Sequence, residues 1–360
     1  MIDVTGLSAR AGDFWLRDVT FTVPASAYGV VIGPAGSGKT TLLETIAGIV
    51  PAHTGRLRLG SRDAGDLPPE ARQVALAYQH AFLFPHLTVR ENVSYGAASG
   101  AEADEMARRF DVVDLLDRSV RGLSGGERQL VSIARTLARG APYLLLDEPF
   151  SALDPRRRAR TRREVRALHK ERGLTVLQVT HDFTEAGMLG DVAILLDGGR
   201  VLQYGPPEEV FRKPASPYIA EFLGAENVYA GIAHVVQDRA PDWAEGTSGE
   251  LSRAHHAVEF RSGSMTIYAV SEVILEGPTY AVVRGEDVVL SLVPHTTSAR
   301  NTYEGVISEV VTTGALSRVT LTAHDLPIVA SLTTRSVQEL GLTVGVRAHA
   351  SFKALAVHLC

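Results

Sequence analysis

One short run constrains the fold of this chain more than any other: Gly33-Pro34-Ala35-Gly36-Ser37-Gly38-Lys39-Thr40. It follows the apolar stretch Tyr28-Gly29-Val30-Val31-Ile32 and opens onto Thr41-Leu42-Leu43-Glu44-Thr45-Ile46-Ala47. A strand, a glycine-rich turn and a helix are therefore predicted in that order. Glycines let successive backbone N–H groups face an anion, and the helix adds the positive end of its dipole. Lys39 brings a charge to a phosphate, Thr40 brings a hydroxyl suited to Mg²⁺, and Thr41 continues the first helical turn. A glycine-rich turn without ligand is the alternative, and the flanking strand and helix speak against it. Only four of the 36 basic residues are lysine (Lys39, Lys170, Lys213 and Lys353), so a position that keeps lysine asks for a point charge rather than a planar fork. Lys170 and Lys213 are expected on solvated faces.

Up to about residue 223, apolar runs alternate with longer helical patterns, the signature of a mainly parallel sheet covered by helices. Further strands are predicted at residues 143–147, 175–179 and 192–196, and residues 85–137 read as a helical insertion. Beyond residue 224 short alternating segments, such as 257–260, 265–270, 306–311, 319–322 and 346–352, predict a smaller all-β, barrel-like domain. It holds one helix at 334–340, capped by Thr333. The expected division is 1–225, then 226–296 as linker and first part of the β extension, then 297–360. Residues 238–264 read as surface loop or hairpin without assigned function.

With 360 residues and 45% of them hydrophobic, such domains can bury their cores without disulfides, and the one cysteine, Cys360, can form none within the chain. A cytosolic setting is expected. The net charge of −5 and pI near 6.2 offer no basic field for nucleic acid. Neither a signal peptide nor a run of membrane-spanning length is read.

Leu144-Leu145-Leu146-Asp147-Glu148 is an apolar strand ending in two carboxylates. Beside a phosphate-binding loop, Asp147 suits the hold on Mg²⁺ and Glu148 suits a general base for water. Leu123-Ser124-Gly125-Gly126-Glu127 opens a helix and forms a second anion nest, which suggests service to the nucleotide of a neighbouring subunit. At this point the sequence resembles the ATP-binding cassette (ABC) family, whose signature is LSGGQ-like; Glu127 stands for Gln and Leu130 for Arg, and neither change is expected to reach the nest. The resemblance implies that Gln79 contacts Mg²⁺ and water, that Ser151-Ala152-Leu153-Asp154 lies at a dimer interface with Asp154 near nucleotide, and that His181 senses the γ-phosphate. Phe14 stands at the family's adenine-stacking position, with Trp15 as the alternate; an edge-strand aromatic is the plain reading of either. The basic run 156–163 reads as a solvated helix face, and His255-His256 as loop composition.

The β extension resembles that of importer subunits, an oligonucleotide-binding-like barrel. More narrowly, Thr297-Ser298-Ala299-Arg300-Asn301 and Phe352-Lys353-Ala354 resemble a molbindin-like module for molybdate or tungstate. Arg300 and Lys353 offer positive charge, and the Ser298 hydroxyl with N–H groups near Ala299 and Ala354 offers directed donors; a structural barrel without ligand is the alternative. The resemblance implies an ATP- and Mg²⁺-dependent homodimer, peripheral on the cytoplasmic membrane face. Its implied partners are two transmembrane permease subunits and a solute-binding protein, and feedback by bound oxyanion is a further expectation. Open alternatives are import of sulfate, iron or sugar, and a soluble ABC protein of DNA repair or translation.

Overall fold

The computed structural model describes residues 1–236 and 256–360, and these divide into two compact units, Met1–Val210 and Phe211–Cys360. Among the described residues no helix is long and apolar enough to cross a membrane.

In the first unit β1 (Ile2–Ala11), β2 (Phe14–Val23), β4 (Ala52–Leu59) and β5 (Arg62–Asp63) form an antiparallel sheet in the order β2-β1-β4-β5. The sequence reading, which took this region as part of one mainly parallel sheet, missed it. The signal lies in β1, where Ile2, Val4, Leu7 and Ala9 are buried. The alternation of a half-buried strand slips by one at Gly6, where φ is +60°.

Four strands of the second sheet lie at the predicted apolar runs, whereas Val74–Ala77 and Arg200–Gly205 were not read as strands from the sequence. β3 (Tyr28–Ile32), β6 (Val74–Ala77), β7 (Tyr143–Asp147), β8 (Thr175–Thr180), β9 (Val192–Asp197) and β10 (Arg200–Gly205) run in the order β10-β9-β3-β8-β7-β6, parallel except for β10. α1 (Lys39–Ala47), α5 (Pro155–Arg172) and α6 (Phe183–Leu189) accompany this sheet, while α2 (Val89–Ser94), α3 (Gly100–Arg109) and α4 (Gly125–Ala138) build the helical insertion. Parallel pairing sets Ile32 beside Thr180 and Asp147 beside Val179, so the loops after β3, β8, β7 and β6 emerge together at the carboxyl ends of adjacent strands. Open α/β sheets place their ligands at such an edge.

The chain leaves the first unit through α7 (Pro207–Arg212), and α8 (Pro217–Phe222) precedes two antiparallel five-stranded sheets. One contains β11 (Asn227–Val235), β12 (His256–Ser262), β13 (Met265–Ser271) and β14 (Gly277–Val283) and is completed by β20 (His358–Leu359). The other contains β15 (Val289–Ser291), β16 (Asn301–Thr313), β17 (Leu316–Ala323), β18 (Leu326–Thr333) and β19 (Arg347–Phe352). α9 (Thr334–Glu339) starts at Thr333, whose hydroxyl accepts from the Ser336 N–H. Phe260, Ile267 and Ala281 from one sheet and Ile307, Leu321, Ile328 and Phe352 from the other share one core. Residues 256–262 form a strand, as the alternation at 257–260 predicts, in a hairpin with β13, and Phe260 is buried rather than on the surface; residues 237–255, including His255, lie outside the described residues.

These two sheets are an internal repeat. Asn227 accepts from the Val329 N–H and donates to the Val329 carbonyl, while Tyr229 donates to the carbonyl of Pro327 and to Asn227. Asn301 accepts from and donates to Tyr268 in the same manner, and Tyr303 donates to Thr266 and to Asn301. Gly231 and Gly305 close the match: a Cβ would sit 2.2 Å from the Arg261 carbonyl at one and 2.3 Å from that of Thr322 at the other. Each Asn-x-Tyr-x-Gly thus ties the start of a central strand of one sheet to an edge strand of the other.

Candidate functional site

The loop after β3 wraps around the N-terminus of α1. Gly36 and Gly38 have φ of +78° and +101°, a conformation in which a side chain would be strained. At Gly33 a Cβ would lie 2.0 Å from the Leu196 carbonyl, so the turn closes only with glycine there. Ser37 holds the turn from behind, its carbonyl accepting from the Gly199 N–H at 3.1 Å, and its buried hydroxyl has no partner among the described residues. Lys39, 9% exposed, folds back to donate to the carbonyls of Gly33 and Pro34, both at 2.8 Å. Burial pulls the Lys39 ammonium below the usual lysine range against the opposing pull of Glu148, Asp147 and Asp197. An anionic ligand here would relieve that penalty.

Thr40 donates to Asp147 Oδ2 at 2.7 Å. Burial pushes the Asp147 carboxyl above its ordinary value, the Thr40 bond opposes this, and the neighbouring Glu148 adds to it. Two hard oxygens this close fit a divalent cation that takes its remaining ligands from phosphates and water. Glu148, the next residue, sits in the left-handed region with φ of +44°. Its N–H reaches the Val179 carbonyl, and its own carbonyl accepts from Ser151 N–H and hydroxyl. Such a conformation costs on the order of 1–3 kcal/mol. The result is a carboxylate aimed at His181, whose Nδ1 lies 2.8 and 2.9 Å from the two Glu148 oxygens. The His181 side chain is 71% exposed, so this pair faces the open edge.

His181 is steadied from below by Thr180, which donates to the buried Glu185 at 2.9 Å, as Gln178 does at 2.8 Å. Burial pushes the Glu185 carboxyl up. Sequence reasoning missed Glu185; the available signal was its place three residues after Asp182, the N-cap of α6. Asp154 spends its side chain as N-cap of α5, accepting from Arg156 and Arg157 N–H groups. The basic face that follows is only partly solvated, since Arg158 donates to the carbonyls of Phe150 and Leu153 and Arg162 lies 3.9 Å from Glu185.

Ser124 caps α4 and presents the N–H groups of Gly125 and Gly126 at the helix start. Here the Glu127 expectation is corrected: its carboxylate accepts from the Ser124 N–H at 2.7 Å and from the Ser124 hydroxyl at 2.8 Å, so it reaches the nest directly. Those bonds hold the Glu127 carboxyl below the usual range. Leu130 is buried, an apolar contact where an Arg was the family expectation.

Farther along α4, Arg135 donates to the carbonyls of Ala81 and Phe82 and lies over the Phe84 ring at 5.3 Å, and Asn92 brackets Phe84 from α2. Gln79, exposed just after β6, therefore begins a loop pinned to the helix that carries the nest. The sequence reading had not singled out Arg135. The Phe14 ring packs against Gly38, a Cβ on which would fall 2.5 Å from it, whereas Trp15 lies between Arg10 and His53. Ala35, Gly36 and Thr40 are exposed, and Pro34 and Thr41 are half-buried.

In the second unit β16 and β19 pair as far as Asn301 with Phe352. Arg300 and Lys353, the next residues outward, leave the ladder at the same end, with Ser298 and Ala299 on one side and Ala354 on the other. Ser298, Arg300 and Lys353 are exposed, Ala299 is half-buried and Ala354 is buried.

Two family models match: ABC transporter over residues 16–151 and TOBE domain over residues 297–359. The molybdate/tungstate import ATP-binding protein of Pyrococcus horikoshii is 35% identical over 367 residues, spanning 100% of this chain and 99% of the relative. That of Pyrococcus abyssi is 37% identical over 99% of each. The sulfate/thiosulfate import ATP-binding protein of Synechococcus elongatus is 39% identical over 66% of this chain and 71% of its own length. Among solved structures, a dimeric post-hydrolysis ATP-binding cassette bound to ADP and Pi matches with a TM-score of 0.53 and 27% identity, covering 57% of this chain and 99% of that one.

Proposed function

This chain belongs to the ABC transporter ATP-binding family, and from that premise we propose that it is the ATP-hydrolysing subunit of an importer for molybdate or tungstate. The observation that carries the motor is the union of Thr40–Asp147 at 2.7 Å with Glu148–His181 at 2.8 Å on one sheet edge beside the phosphate loop. The full-length relatives that import molybdate and tungstate, together with the Arg300 and Lys353 pair, support the choice of solute.

In this reading residues Gly33 to Thr41 cradle the phosphates of ATP, and Lys39 moves from its two carbonyls to the β- and γ-phosphates. Phe14 or Trp15 offers a ring to the adenine. Thr40, Asp147 and Gln79 would hold Mg²⁺, which neutralises developing phosphate charge when bound. Glu148 takes a proton from the attacking water as that oxygen bonds to the γ-phosphorus and the bond to the β-γ bridging oxygen breaks; His181 holds Glu148 and the γ-phosphate in place. Two chains meet head to tail, Ser124 to Gly126 of each completing the other's nucleotide site beside Asp154. The dimeric cassette among similar structures supports a dimer. Glu127 must then yield part of its hold on Ser124 as the γ-phosphate arrives.

The dimer works as a peripheral assembly on the cytoplasmic face, under two permease subunits fed by a solute-binding protein. Oxyanion held by Ser298, Ala299, Arg300, Lys353 and Ala354 slows the motor when the solute is plentiful. Reconstitution with permeases and binding protein tests this: molybdate or tungstate should stimulate hydrolysis and enter the vesicles. Stimulation by sulfate alone would assign the chain to the sulfate importers instead.

A further inference from the structure

The internal repeat pairs residues of the proposed oxyanion seat with residues near the start of the second unit. Asn227 aligns with Asn301, and both begin a strand paired at its first residue with the last residue of another, Val283 and Phe352. Glu226 therefore corresponds to Arg300, Arg284 to Lys353, and Gly285 to Ala354. Arg284 and Lys353 each precede a short 3-10 turn, Gly285–Asp287 and Ala354–Ala356. The two places differ in charge at one member of each pair. Arg300 and Lys353 are both cationic, whereas at the first place Glu226 is a carboxylate and Arg284 donates to Glu286 and to the Phe211 carbonyl.

That carboxylate is seated. Glu226 Oε2 accepts from the Gly285 N–H at 3.0 Å, the group that matches the Ala354 N–H. Oε1 accepts from the Ser331 hydroxyl at 3.2 Å and lies 3.7 Å from the Arg318 guanidinium. Backbone N–H, hydroxyl and guanidinium converging on anionic oxygens are the donor set an oxyanion seat requires. A Cβ on Gly285 would lie 2.8 Å from the Ser331 hydroxyl and 3.1 Å from the Glu226 carboxyl carbon, so the seat is closed around that side chain.

We infer that the second unit holds two repeat-related oxyanion seats, one of them permanently filled by Glu226, and that Glu226 thereby limits the chain to one free oxyanion. The inference rests on the proposed seat at Arg300 and Lys353, but the two are separable by experiment.

Titration calorimetry of the purified full chain with molybdate, and in parallel with sulfate, counts the seats. Wild type should bind one molybdate per chain and Lys353→Ala none. Glu226→Ala should bind two, and Glu226→Ala combined with Lys353→Ala should bind one. One site in Glu226→Ala with none in the double variant overturns the inference while leaving the Arg300 and Lys353 seat standing. No binding by wild type refutes that seat, and the double variant still decides for or against the Glu226 seat by gaining one site or none. Should Glu226→Ala be unfolded by itself, molybdate must restore its melting transition. Failure to restore it overturns the inference.

Discussion

Replacing Glu148 by Gln removes the proposed base and little else. The main chain keeps its left-handed turn through the Val179 carbonyl and Ser151, and the amide oxygen can still accept from His181. Because His181 is mostly exposed, weakening its contact with residue 148 should change stability by no more than about 1 kcal/mol. A positioned general base contributes about 10²–10⁴-fold. At about 1.36 kcal/mol per tenfold, the barrier should rise by roughly 3–5 kcal/mol. ATP binding should persist, since the loop from Gly33 to Thr41 is untouched, so nucleotide-bound dimer should accumulate. Phosphate release in the presence of permeases gives the rate, and sedimentation with and without ATP gives the dimer. Turnover within about tenfold of wild type would refute Glu148 as base, and an ATP-indifferent monomer would refute the shared site.

Lys39→Ala removes a buried ammonium that hydrogen bonds of about 1.5–3 kcal/mol would bind to phosphate, so ATP affinity should fall roughly 10–100-fold in equilibrium dialysis. Asn227→Ala and Asn301→Ala, at 2% and 1% exposure, each strand buried partners and should each cost about 1–3 kcal/mol in denaturant melts; sharply unequal costs would speak against the repeat. Burial raises the Asp147 carboxyl, so the nucleotide-free chain binds a proton there that the unfolded chain releases. This contribution to stability is fully present below the ordinary carboxylate value and is lost as pH rises through the raised one. Asp147→Asn should flatten that part of the stability profile in thermal melts.

Four strands of the parallel sheet were legible because, buried on both faces, they read as continuous apolar runs, and Tyr28–Ile32 and Tyr143–Asp147 have the predicted bounds; β6, only four residues long, and the half-exposed edge strand β10 gave no such run. The antiparallel sheet was not, because the bulge at Gly6 breaks the alternation of β1. The loop from Gly33 to Thr40 announces itself since its chemistry is contiguous. The contacts of Arg135 with the loop after Gln79, and of Glu226 with Gly285 and Ser331, join residues 53 to 105 positions apart, and spacing alone carries no trace of them. Glu127 was read by analogy with glutamine, and the analogy hid what a carboxylate does when it caps its own helix.

A molybdate- or tungstate-responsive motor shows itself in ATP hydrolysis by the reconstituted transporter as cytoplasmic-side molybdate, tungstate and sulfate are raised. Molybdate and tungstate should inhibit about 5–150-fold, corresponding to a coupling of about 1–3 kcal/mol, with sulfate weaker. Lys353→Ala should relieve it without lowering basal hydrolysis. Equal insensitivity to all three anions, in wild type and Lys353→Ala alike, would contradict it.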